Sequence, residues 1–142
     1  MRMQVKVGQV GRLRDGLNVF GALEGERRSE RLLPGSSARD AGLKRLVDRS
    51  GFRGAANEVA LLPRNGQWVL VVGLGKAKEL TLERGRQLAG TAVKAARARG
   101  FTRLALPMFA ERGLGSAALV AQALAEGSLL GLYRYDRLKE LP

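Results

Sequence analysis

The chain has 142 residues, 45% of them apolar and 27% charged, and its 25 Lys and Arg against 13 Asp and Glu give a formal charge of +12. That balance fits one globular α/β-sized domain with its own core, not a disordered chain, and no apolar run reaches the length a bilayer-spanning helix needs. Cysteine and histidine are both absent, which removes disulfides, thiolate or imidazole catalysis and the common zinc sites.

In chain order, Gln4 to Val7 predicts a first strand, since Val5 and Val7 alternate with polar neighbours. A glycine- and arginine-rich connection, Gly8 to Gly16, leads to a second strand at Leu17 to Phe20, and residues 24–37 have the chemistry of a loop. Ser37 is placed to cap a helix over Ala38 to Arg49, with Leu43, Leu46 and Val47 as its apolar stripe and Gly51 as its stop. Two strands, Glu58 to Leu62 and Gln67 to Val72, then read as a hairpin joined by Pro63-Arg64-Asn65-Gly66. The second is apolar on both faces, which places it in the sheet centre.

Thr81 is an N-cap for a second helix running to Arg99 and stopped by Gly100, with Leu88, Ala92, Ala95 and Ala96 as a narrow face of small residues. Phe101 to Pro107 predicts another strand, so strand 67–72, helix 81–99 and strand 103–107 read as a right-handed crossover. A last helix is expected from Ser116 to Lys139. Its Gly127 and Gly131 each lower helix propensity by roughly 1 kcal/mol relative to Ala, and the reason expected for them is another backbone lying close by.

One turn invites a chemical reading. The apolar strand 69–72 ends in Gly73-Leu74-Gly75-Lys76, the parts from which phosphate cradles are made. The spacing fails both known frames. A dinucleotide fingerprint puts its third glycine where Lys78 stands, and a Walker A loop needs glycine at Leu70 and Ser or Thr at Ala77. Gly73, Gly75 and Lys76 therefore remain as anion-contact candidates, beside the plainer reading of a turn that releases a buried strand. No catalytic, metal-ligating or cofactor-binding residues are identified.

The segment VLVVGLGKAKELTLERGRQLAG resembles the strand–turn–helix of the N-terminal domain of the leucyl (cytosol) aminopeptidases, through Gly73, Leu74, Gly75, Lys76, Leu80, Thr81 and Glu83. ALAEGSLLGLYRYDRLK, residues 123–139, is similar to the helix that closes that domain, and GFRGAANEVALLP, residues 51–63, is a weaker echo. The resemblance implies a single domain over residues 1–142 with a macro-domain-like, three-layer α/β/α sandwich around a mixed central sheet. It also implies that the family's catalytic C-terminal domain is absent. That domain would hold two divalent metal ions and the signature Asn-Thr-Asp-Ala-Glu-Gly-Arg, which does not occur in these residues.

On this resemblance the chain alone is expected to be a non-catalytic scaffolding and oligomerisation domain, partnered by further copies of itself or by its own catalytic domain. A nucleic-acid-binding module is the alternative, since some members bind DNA and +12 suits phosphate contacts. A third reading is a macro-type site for an ADP-ribose-like ligand. A cytoplasmic location without membrane contact is expected, because MRMQVKVGQVGR lacks the apolar core of a secretory signal.

Overall fold

The computed structural model describes residues 13–25, 32–33, 40–109 and 114–140. The strand expected at Gln4 to Val7 and the cap expected at Ser37 lie outside them. The described strands are β1 (Leu17–Leu23), β2 (Leu32–Leu33), β3 (Val59–Arg64), β4 (Gln67–Gly75) and β5 (Leu104–Ala105); the helices are α1 (Ala41–Ser50), α2 (Leu82–Ala98) and α3 (Ala117–Glu140).

The sheet is mixed and runs β2-β1-β4-β3, with β5 also on β1. β4 pairs with β1 in parallel, as β5 does, while β3 and β2 join antiparallel. The apolar runs explain this order. β1 is buried along its whole length and β4 from Val69 onward, as strands covered on both faces must be. Their alternate side chains fill two cores. Leu17, Val19, Leu70 and Val72 meet Leu88, Ala92, Val120 and Leu124 of α2 and α3, and Phe20, Val69 and Val71 meet Leu43 and Val47 of α1. The result is three layers, α1 on one side of the sheet and α2 with α3 on the other.

The hairpin forms as its turn residues require. Asn65 and Gly66 both take left-handed conformations (φ 51° and 77°), the pair that a two-residue loop matching strand twist demands. Its strands extend closer to the turn than expected, so Arg64 pairs with Gln67 and the loop is Asn65-Gly66 alone. α2 is capped by Thr81, whose hydroxyl accepts from the Arg84 amide at 3.3 Å.

Three expectations are corrected. β1 continues past Phe20 to Leu23, because Gly21 to Leu23 pair with β4 and β2. α1 starts at Ala41 rather than Ala38. Asp40 is its cap, accepting from the Leu43 amide at 3.0 Å and from Arg64 at 2.7 Å. The strand expected over Phe101 to Pro107 shrinks to Leu104–Ala105. β2 occupies Gly21 and Ala22 of β1 and leaves β5 to pair with Leu17 and Asn18. β1 consequently lies between β4 and β5, the two strands that α2 connects.

The last two helices meet as their glycines suggest. A Cβ on Gly127 would run into the carbonyl oxygen of Arg86, and one on Gly131 would lie 2.9 Å from the Cα and carbonyl oxygen of Gly90. Both contact points advance along the two helices together, so α3 runs parallel to α2 with the backbones in contact. Arg86 reinforces the pair, donating to Glu126 at 3.1 Å and to Glu83 at 3.3 Å; Glu126 foremost holds the guanidinium above its ordinary pKa.

Candidate functional site

In open α/β sheets, ligands gather outside the carboxyl ends of parallel strands, where neighbouring strands send their helices to opposite faces. β1 and β4 form such a junction, since the chain after β1 goes on to α1 and the chain after β4 to α2. Gly73, Gly75 and Lys76 stand at this end of the sheet.

Each residue there has a mechanical explanation. Ala22 pairs with Gly73 and Leu23 with Gly75, so Leu74 is an extra residue in β4, a β-bulge. The bulge leaves the Leu74 side chain buried in the α2 and α3 core. Gly75 takes a left-handed φ of 78° to make it, which glycine does without steric cost. Gly73 is glycine for another reason. A Cβ on it would overlap the carbonyl oxygen of Ala55, because the connection between α1 and β3 crosses directly over it.

That crossing consumes the hydrogen-bonding groups a ligand would use. The Gly73 amide donates to the Glu58 carbonyl at 2.7 Å and the Gly75 amide to the Gly54 carbonyl at 2.9 Å. Their own carbonyls accept from Asn57 at 2.9 Å and from Glu24 at 2.8 Å. Gly54 in turn sits against the backbone of Leu23 and Glu24, where a Cβ would lie within 3.0 Å of three backbone atoms. The mouth between β1 and β4 is thus filled by the chain itself. Lys76 and Lys78 are exposed and share their turn with Glu79. α2 begins at Leu82, well past the bulge, so its N-terminal amides do not complete a cradle.

The residue that organises this plug has no motif to announce it. Glu58 folds its carboxylate back onto the Arg53 and Ala55 amides, each at 3.1 Å. An internal anion therefore occupies the amides that an external one would need. Asn57, left-handed at φ 67°, donates its side-chain amide to Gln87 of α2 at 3.3 Å, and Gln87 also accepts from Arg84 at 3.1 Å. The one sequence signal was the pair of positive-φ residue types, Gly54 and Asn57, within GFRGAANE.

Among the described residues, no group of three or more carboxylates comes close enough together to hold a metal ion. Basic side chains are distributed over both layers, with Lys44, Arg45 and Arg49 on α1, Arg84, Arg86, Lys94 and Arg97 on α2, and Arg14 and Arg103 at the opposite end of β1. No helix among the described residues is long and apolar enough to cross a membrane.

Comparison with known proteins adds the wider setting. A family model described as the N-terminal domain of the cytosol aminopeptidase family matches residues 21–142. The probable cytosol aminopeptidase of Geotalea uraniireducens is 36% identical over 102 residues, which are 69% of this chain and 20% of that protein. That of Acidobacterium capsulatum is 34% identical over 115 residues, or 75% and 22%. The chain therefore spans about one fifth of the length of the curated relatives it matches. Among solved structures, the bottromycin maturation enzyme BotP matches at 31% identity with a TM-score of 0.62, over 91% of this chain and 25% of that one. A tomato leucine aminopeptidase variant superposes with a TM-score of 0.64 at 20% identity, over 89% of this chain and 27% of that one, a likeness of fold.

Proposed function

The chain belongs to the cytosol aminopeptidase family, in the region of its N-terminal domain, and from that membership we propose that it is a non-catalytic scaffold that positions and assembles an aminopeptidase's catalytic portion. The observation that carries this reading is the match of residues 21–142 to the family's N-terminal domain, with the matched region spanning about one fifth of its relatives' length. The filled mouth between β1 and β4 supports it, because it leaves the glycine turn a structural job. The parent activity would be metal-dependent removal of N-terminal residues from peptides, in the cytoplasm, as suits relatives named cytosol aminopeptidases. Self-assembly is part of the proposal.

The isolated chain, assayed with amino-acid amides plus zinc or manganese, is expected to show no turnover. Grafted in place of the matched segment of the Geotalea uraniireducens relative, it is expected to support hydrolysis by the chimera. Metal-dependent hydrolysis by the chain alone would overturn the reading. The +12 charge favours a second reading, contact with nucleic-acid phosphates. On that reading duplex DNA binding would weaken steeply with salt, and no binding at low salt would dispose of it.

A further inference from the structure

β3 closes one side of the sheet, and among the described residues no strand lies beyond it. Its main-chain groups alternate in direction. Arg64 and Gln67 flank a two-residue turn and are therefore a hydrogen-bonded pair, and Leu62 with Val69 and Ala60 with Val71 follow in the same alternation. The Gly73 amide, donating to the Glu58 carbonyl, continues the series. Val59, Leu61 and Pro63 thus turn their main-chain groups away from β4. Pro63 has no amide and blunts the hairpin end of this edge. Val59 and Leu61 keep both donor and acceptor there, and Val59 to Leu62 include no charged residue to ward off a further strand. The side chains beside the edge are apolar. Val59, Leu61 and Pro63 stand opposite Val72, Leu70 and Trp68, on the sheet face that α2 packs against. Val59 and Trp68 are nevertheless 48% and 44% exposed, and Pro63 is exposed with them. The hydrogen bond from Asn57 to Gln87 fixes which side of α2 borders this edge. Helical spacing adds Arg84, Thr91, Ala95 and Ala98 to that side, so α2 forms a wall of mostly short side chains along an open step.

We propose that this step is a strand-docking site, where an extended acidic peptide pairs with Val59 and Leu61. Its alternate apolar side chains lie between the edge and α2, over Val59, Leu61 and Trp68. Charge selects the occupant. The hairpin from Val59 to Gly75 contains no carboxylate, and α2 from Arg84 to Arg99 carries five basic residues and no acidic one. Lys94 and Arg99 are exposed at the Trp68 end of the step. α2 ends at that level because the chain after it enters β5, whose Leu104 pairs with Leu17 next to the Asn18–Val69 pair. A second copy is a poorer fit, since pairing two β3 edges would bring together the basic flanks of chains that each carry +12. The site does not depend on the scaffold reading above.

The probe is a labelled Glu-Val-Glu-Val-Thr-Val-Glu peptide, titrated into the whole chain by fluorescence anisotropy, with hydrogen exchange followed at single amides. Saturable binding of one peptide per chain is expected, with exchange at Val59 and Leu61 slowed about tenfold or more. The same peptide N-methylated at alternate residues, and so short of donors, should bind about tenfold more weakly or worse. Val59→Pro removes an outward amide without touching the β4 ladder and should weaken binding as much while leaving the melting temperature in place. Trp68→Thr keeps a residue suited to a strand and should also weaken it. Equal binding of the methylated peptide, or binding that leaves Val59 and Leu61 unprotected, would reduce the effect to charge attraction and overturn the proposal. No binding up to about 1 mM peptide would overturn it as well. Val59 and Leu61 amides already protected in the free monomer would put another segment of the chain on the edge, and protection that arrives with dimerisation would put a second copy there. Loss of peptide binding in the Geotalea uraniireducens chimera would mean that the rest of that protein covers it. Each of the three overturns the proposal. If Val59→Pro unfolds the chain, the exchange pattern of the unsubstituted chain and Trp68→Thr decide, and unchanged affinity in Trp68→Thr overturns the site.

Discussion

Gly127→Ala sets two effects of known sign against each other. Alanine in a helix interior is favoured over glycine by about 1 kcal/mol, so on local grounds the change stabilises. The added methyl, however, would overlap the carbonyl oxygen of Arg86 and lie 2.7 Å from its carbonyl carbon and 2.8 Å from its Cα. All three are backbone atoms of α2, so no rotamer change relieves the contact. The helices must separate along a seam that also holds Gly90 and Gly131 and the Arg86–Glu126 pair. Overpacking of this kind costs about 1–3 kcal/mol and occasionally more, and loss of fit around Leu88 and Leu124 adds to it. The net expectation is destabilisation by about 1–2 kcal/mol, or a Tm lowered by about 3–6 °C for a chain of this size. Gly42→Ala is the matched control. Its Cβ would find open contacts, the nearest being Asp40 Oδ1 at 3.5 Å, and its φ is not left-handed, so stability should rise by a few tenths to about 1 kcal/mol. Urea titration of both variants, with unchanged m, reads the two signs directly. A Gly127→Ala protein as stable as the parent would refute the close packing of α2 on α3.

Asn18 is buried at 1% exposure and exchanges hydrogen bonds with Leu13, accepting from its amide at 3.2 Å and donating to its carbonyl at 3.1 Å. Asn18→Ala leaves that backbone unpaired at the entry to β1 and should cost about 1–3 kcal/mol by denaturant titration. Burial pushes the Asp40 carboxyl up, but the Leu43 amide and the Arg64 guanidinium outweigh it and hold it below its ordinary value of 3.8. A lowered pKa favours the fold at neutral pH and loses that contribution as pH falls below about 4. Asp40→Ala should therefore cost about 1 kcal/mol at pH 7, and the gap to the parent should narrow in acid melts. Glu58→Ala frees the Arg53 and Ala55 amides, and hydrogen exchange at Gly73 and Gly75 should accelerate at least tenfold if Glu58 holds the plug in place. Unchanged exchange would mean the plug is held by its backbone bonds alone.

Much of this fold is local enough to be written in short stretches of chain. The Asn65-Gly66 turn, Thr81 with Gly100 around α2, and the apolar centre of β4 each depend on neighbours within a few residues. Gly127 and Gly131 carry information of a longer range, because a glycine spaced four from another inside a helix has little local use. What escaped were features decided by partners far away in sequence. Asp40 caps α1 with the help of Arg64, which the β3 hairpin delivers from 24 residues on. β5 is short because β2, a two-residue strand inside an apparent loop, takes the other half of the β1 edge.

The glycine turn shows the same division at the level of function. Its position at the end of a buried strand is plain in the sequence, and its failure to match a phosphate-binding frame is plain too. What a frame cannot show is whether the amides are free, and that depends on Gly54, Asn57 and Glu58 arriving from the previous connection. Once those residues take up both amides and both carbonyls of Gly73 and Gly75, an anion must displace Glu58's own carboxylate and the loop it holds before it meets a donor there. The desolvation and ordering already satisfied inside the fold would have to be undone.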